Sequence, residues 1–205
     1  MRIASLIVAL TVGLAAAPAL AQSPNASPAA ARAVAAGTYN VDPNHTIVTW
    51  SVDHMGFSRL SGMVGEMKGV LKLDPARPEA ASVEIDIPLS GLRVTSPAFG
   101  KHLATGDLFD TAKHPTARFV SRSVKVNGLQ AQIAGDLTLR GVTRPVVLDA
   151  RFYGAGANPM TKAATVGFSA VAKLKRSEFG LGYAVPAVSD EVNLEIDAAF
   201  EKAPG

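Results

Sequence analysis

Cysteine is absent from all 205 residues of the chain. This excludes disulfide bonds, thiolate metal sites and cysteine nucleophiles together. Stability must come from a packed core, and about 165 residues outside the terminal segments are enough for a single domain. Charge of one sign is scarce too. The formal net charge is +3 and falls by one without Arg2. The densest basic cluster is Lys173, Lys175 and Arg176. No nucleic-acid-binding stripe is present, and the charge supports only a weak attraction to anionic head groups. Beyond the first residues, no apolar run reaches the roughly 18 residues of a membrane-spanning helix.

Catalytic patterns are missing as well. Gly62-x-x-Gly65 and Gly154-x-Gly156 are not followed by helical periodicity, so neither reads as a nucleotide loop. There is no Gly-x-Ser-x-Gly elbow. Ser51, Asp53 and His54 crowd together in sequence, but strand geometry sends His54 to the opposite face from the other two. His45, His54, His102 and His114 show neither the i, i+2 nor the i, i+4 spacing of a local metal pair. The same-face pairs Glu84/Asp86 and Glu195/Asp197 alternate with apolar residues and should face solvent. No catalytic residue, metal site or cofactor is expected.

The N-terminus reads as a cleaved export leader over 1–21. Arg2 precedes the apolar stretch Ile3 to Leu14, and Ala19-Leu20-Ala21 fits the small-x-small cleavage rule. This predicts a periplasmic protein. Residues 22–37, rich in Ala, Pro and Ser, read as a disordered linker. The domain then covers 38–202.

Within it the dominant period is two. Val83, Ile85 and Ile87 form one apolar face, and Val48, Trp50 and Val52 another. So do Val146, Leu148, Ala150 and Phe152, and Val166, Phe168, Ala170, Ala172 and Leu174. The last such face is Val192, Leu194, Ile196, Ala198 and Phe200. Further strands are expected near 63–73, 117–126 and 130–139. Turns are expected at Asp74-Pro75, Asn127-Gly128, Arg140-Gly141 and 154–159, with Asn127-Gly128 the strongest hairpin signal. About eight one-sided strands make an all-β sandwich or an up-and-down barrel. Small inward residues (Ala150, Ala170, Ala172 and Ala198) would underfill a sandwich, which favours a barrel with a cavity. Only 96–113 has helical character, with Ser96 as cap and Pro97 at the first position, giving a short helix near 97–105 that Gly106 should stop.

Seven segments, in order, resemble one family. They are 39–46 (YNVDPNHT), 52–57 (VDHMGF), 102–110 (HLATGDLFD), 114–119 (HPTARF), 135–143 (GDLTLRGVT), 176–181 (RSEFGL) and 190–192 (DEV). The chain is similar to the YceI family of exported, lipocalin-like polyisoprenoid-binding proteins. It differs at Gly100-Lys101, at Trp50 and at Glu66-Met67. The resemblance implies an eight-stranded antiparallel barrel around an apolar cavity, holding a polyisoprenoid or related amphiphilic lipid and performing no catalysis. On this reading Phe99, Leu103, Leu108 and Phe109 cover the cavity. Lys101, His102 and Arg118 are candidates for the head group. Trp50, Phe57, Phe119, Leu137, Phe168 and Phe179 are candidates for the apolar chain. A homodimer and a transient contact with a membrane surface are compatible with such a carrier. Two alternatives stay open: a filled barrel acting as a structural or stress-response partner, and an enzyme whose histidines converge.

Overall fold

Strands with one apolar face must close on a second sheet or on themselves. In the computed structural model, which describes residues 26–204, they close on themselves. The strands are β1 (Gly37–Val41), β2 (Ile47–His54), β3 (Ser58–Val64), β4 (Lys68–Leu73), β5 (Ser82–Pro88) and β6 (Leu92–Arg93). They continue with β7 (Thr116–Asn127), β8 (Gln130–Leu139), β9 (Val142–Ala157), β10 (Ala164–Lys175) and β11 (Glu191–Lys202). All neighbouring pairs are antiparallel, and β1 pairing with β11 closes the ring.

The eleven strands make eight staves, because three staves are interrupted. β1 and β2 both pair with β11, one at its C-terminal part and one further back. β4 and β3 follow on the next stave, paired to β1 and β2. β5 and β6 come after them, on β4 and β3. The first break is an Asx turn in which the Asn44 N–H donates to Asp42 Oδ1 at 2.9 Å. The second contains Glu66 at φ 60°, outside the strand region. β7 pairs with β5 but not with β6. Beside β6 the ladder therefore stops, and the segment between β6 and β7 fills the space.

That segment carries α2 (Pro97–Leu103), where the Ser96 hydroxyl accepts the Phe99 N–H at 3.3 Å. The helix ends at Leu103, short of Gly106, which lies in the following turns. Leu103 and Leu108 are buried, and the Phe109 N–H donates to Leu103 O at 3.0 Å, folding the segment on itself. The β8–β9 turn reaches over to hold it. Arg140 and Gly141 both have positive φ, 51° and 73°, as a two-residue type I′ loop requires. From there the Arg140 guanidinium donates to Gly106 O and Gly180 O. The β7–β8 hairpin is shifted by one residue from the expected Asn127-Gly128 turn. Asn127 still pairs with Gln130, so Gly128 and Leu129 form the loop.

The reading of 22–37 as disordered does not hold from residue 26 onward. Residues 1–25, with the expected leader, lie outside the described residues. α1 (Pro28–Arg32) is a second helix, capped by the Ser27 hydroxyl, which accepts the Ala30 N–H at 3.0 Å. A five-residue helix is not stable alone. It is held because Val34 packs into the core and the buried Tyr39 hydroxyl donates to Ala35 O at 2.6 Å.

The core is divided. One cluster, including Leu89, Leu103, Leu108, Phe119, Leu137, Phe179 and Leu181, lies under α2. The other, including Val34, Tyr39, Leu71, Phe152, Val166 and Phe200, lies under α1.

Candidate ligand-binding cavity

Residues of both clusters wall one cavity of about 840 Å³. This is the size of a site for a substantial ligand. Each stave contributes its inward face: Val48, Trp50 and Val52 from β2, Leu71 from β4, Ile85 and Ile87 from β5, Phe119 from β7, Ile133 and Leu137 from β8. Leu148 and Ala150 come from β9, Phe168 and Ala170 from β10, Leu194 and Ala198 from β11. Two facts keep this lumen from filling. The wall between Phe152 and Leu174 is built from alanines, with Ala170 directly opposite Ala150 across β9 and β10. The largest side chain of the wall, Trp50, lies flat on Gly62 of β3, where any Cβ would come within 2.4 Å of the ring. An interior filled by side chains, as one alternative required, is not what the barrel has.

Trp50 carries a cost for this position, since its Nε1–H is buried without a hydrogen-bond partner among the described residues. Trp50→Phe keeps most of the ring and removes the unpaired donor. Its stability by urea unfolding is expected within about 1 kcal/mol of the parent. A loss of several kcal/mol would mean that the indole N–H is satisfied in solution.

Polar groups line the wall toward both ends: Arg32, Gln130 and Arg151 on the α1 side, and a second group under α2. His54, His102, Arg176 and Tyr183 all line it there. His102 meets Tyr183 edge-on with ring centroids 5.0 Å apart, and its Nε2 lies 3.7 Å from Asp107. Arg176 is buried and holds the segment 181–190 in place. Its Nε–H donates to Ser189 O at 2.9 Å, and its terminal N–H groups donate to Leu181 O, to Tyr183 O at 2.8 Å and to Val188 O at 2.9 Å. Burial pulls its pKa down and the Asp190 carboxylate opposes this, but a guanidinium keeps its proton near neutral pH. Asp190 anchors the same segment by accepting from the Ser177 N–H at 2.8 Å and the Ser177 hydroxyl at 2.7 Å. Burial would raise the Asp190 pKa, but these two bonds and the neighbouring Arg176 and Lys175 outweigh it and hold the carboxyl below its usual value.

Of the four histidines, His54 and His102 line the cavity and the other two do not. His45 pairs with Asp42 at 2.6 Å on the surface, and His114 lies against the Gly141 turn. Among the described residues, no cluster of His, Asp and Glu could hold a metal ion.

The model of the YceI-like domain family matches residues 39–200, which run from within β1 into β11. The chain belongs to the YceI family. It is similar to the UPF0312 protein of Pseudomonas putida strain F1, at 36% identity over 171 residues, 82% of this chain and 88% of that protein. BcnA of Burkholderia cenocepacia has the same fold at 24% identity, with a TM-score of 0.70 over 78% of this chain and 98% of that one. So does a polyisoprenoid binding domain from Saccharophagus degradans implicated in plant cell wall breakdown. It is 11% identical, with a TM-score of 0.63, and the likeness covers 80% of this chain and 98% of the domain.

On this YceI barrel most of the sequence-derived candidates come together. Trp50, Phe99, His102, Leu103, Leu108, Phe109, Phe119, Leu137 and Phe168 line the one cavity. The others fall elsewhere. Phe57 stands in solvent at the β2–β3 turn, 89% exposed. Lys101 is on the outer side of α2. Arg118 alternates with the inward Ala117 and Phe119, so it points out and binds Asp86 at 2.7 Å and Glu84 at 2.8 Å. Phe179 is buried in the cluster beneath α2 and fills space rather than lining the lumen. The acidic pair expected to face solvent, Glu84/Asp86, does so as the partner of Arg118. Arg176 and Tyr183 were missed as cavity residues. Arg176 belongs to a segment that matches the family, but its position at the end of β10 after two outward lysines hides its inward turn.

Proposed function

We propose that the protein is an exported carrier that holds a long isoprenoid or similar amphiphilic lipid in its barrel, for transport, storage or sequestration. The observation that carries this is the large, predominantly apolar lumen that runs between the α1 and α2 ends of the barrel. That lining suits a ligand with a long apolar chain. Each methylene removed from water contributes about 0.8 kcal/mol, so a chain of several isoprene units offsets the cost of association. His102, Tyr183 and the Arg176-bound segment are the groups within reach of the head. A polyisoprenoid binding domain on the same fold, and the resemblance of seven segments to a family of such binders, support the ligand class. The leader-like pattern around Arg2, Ile3 to Leu14 and Ala19-Leu20-Ala21 supports export. The chemistry is binding alone.

The test is mass spectrometry of the organic extract of natively purified protein, with titration of a long-chain prenol into the delipidated protein. A chain lipid near one per barrel, and saturable prenol binding, are expected. An extract free of lipid together with no prenol binding would end this reading.

A further inference from the structure

The β2–β3 turn and the adjoining segment 181–190 present large apolar side chains to water beside the end of the cavity lined by His54, His102 and Arg176. Phe57 is 89% exposed, Met55 49% and Tyr183 51%. Met55 and Tyr183 also line the cavity, so the lumen meets the surface between them. Phe57 stands just beyond this opening, at the apex of the hairpin.

The exposure of Phe57 is built in. The Gly56 N–H donates to Asp53 Oδ1 at 2.7 Å, and the Phe57 N–H to His54 O at 3.1 Å. The Met55 N–H donates to Ala187 O at 3.0 Å, and His54 bridges to Val188, so the turn is tied to the 181–190 segment. A ring fixed in water by its own backbone is a feature that folding alone does not explain.

We propose that this tip docks on a lipid bilayer, with Phe57 inserted among the head groups, so that the cavity opening faces the lipid it exchanges. The proposal rests on the carrier reading. A ligand with a long apolar chain has little free concentration in water, and a bilayer is where such a chain resides. The shape fits that occupant, since a single ring on a narrow turn is a knob rather than a flat face for a protein partner. The charge fits as well. Arg59 stands opposite Asp53 across the β2–β3 ladder, and Asp107 lies 3.7 Å from His102, so insertion is apolar and not an attraction to anionic lipid.

The experiment is flotation of the full chain with phosphatidylcholine vesicles, and with vesicles also containing phosphatidylglycerol. It is paired with transfer of a fluorescent isoprenoid from vesicle to protein. The parent is expected to float with both vesicle types to a similar extent and to remain bound at about 0.5 M salt, where surface charges are screened. Phe57→Ser is expected to bind vesicles and take up the probe at least tenfold less well. Its affinity for the probe delivered without vesicles should be unchanged, because Phe57 is not in the cavity wall. Binding only to anionic vesicles, vesicle binding by Phe57→Ser equal to the parent, or a parent dimer that Phe57→Ser converts to monomer would each overturn the proposal. Failure of the parent to bind the probe even without vesicles would instead count against the carrier reading, and the flotation result would still decide the docking.

Discussion

Phe in place of both Ala150 and Ala170 is expected to weaken binding of a long prenol by roughly three orders of magnitude while the barrel stays folded. The two alanines face each other across β9 and β10 and both line the lumen. The two added phenyl rings occupy the space of about two isoprene units, and a chain that shifts along the remaining lumen is expected to lose the burial of about one of them, five carbons. At about 0.8 kcal/mol per carbon the loss is about 4 kcal/mol, and each 1.4 kcal/mol is a factor of ten. Enlarging a residue in a filled core costs about 1–3 kcal/mol in strain. Here the rings enter existing space, so the thermal midpoint should stay within a few degrees of the parent. Prenol titration and thermal unfolding of the same preparation read both quantities. A double variant that unfolds would mean that the interior is already filled, and one that binds like the parent would mean that the ligand sits elsewhere.

Arg176→Met is expected to be the most destabilising single change in the cavity wall. Met replaces the length of the side chain but none of its donors. Four carbonyls, those of Leu181, Tyr183, Val188 and Ser189, then lose their partner at once. Removing a buried charged donor from such a network costs about 3–5 kcal/mol. For a domain of this size each kcal/mol lowers the thermal midpoint by about 2–4 °C, so a fall of roughly 6–20 °C is expected. Arg176→Lys should rescue little, because a single ammonium cannot reproduce a planar fork that reaches four acceptors. Calorimetry of the two variants checks this. A Lys variant as stable as the parent would show that charge alone, not the fork, holds the segment.

Period two made the barrel legible, since the inward rows of β2, β5, β9, β10 and β11 could be written down from spacing alone. The same rule already assigned Arg118 to the outside, beside the inward Ala117 and Phe119. Choosing it as a head-group contact put charge ahead of geometry. Phe57 was illegible for a different reason. Hydrophobicity predicts burial, and nothing in Met55-Gly56-Phe57 announces that the chain turns back there and leaves the ring outside. The ordered segment 26–36 was hidden by its composition. Alanine and proline carry little periodic signal, and the helix depends on anchors, Val34 and Tyr39, that act only once the barrel exists. The interrupted staves were likewise hidden, because β1 and β2 become one stave only through their common partner β11.

The missing ladder between β6 and β7 makes the barrel unequal in how it can yield. Where two staves share a ladder, separating them breaks a row of backbone hydrogen bonds, and the β9–β10 ladder too stops short, at Val171 opposite Asp149. Between β6 and β7 the wall is held by Leu103 and Leu108 in the core, by the Arg140 bonds to Gly106 and Gly180, and by the contact of His102 with Tyr183. These attachments are few and made by side chains, and they can release while every strand stays paired. Local opening of lowest free energy belongs to such regions. Beside β6 the tube therefore has a flank whose closure rests on side chains and not on a strand ladder.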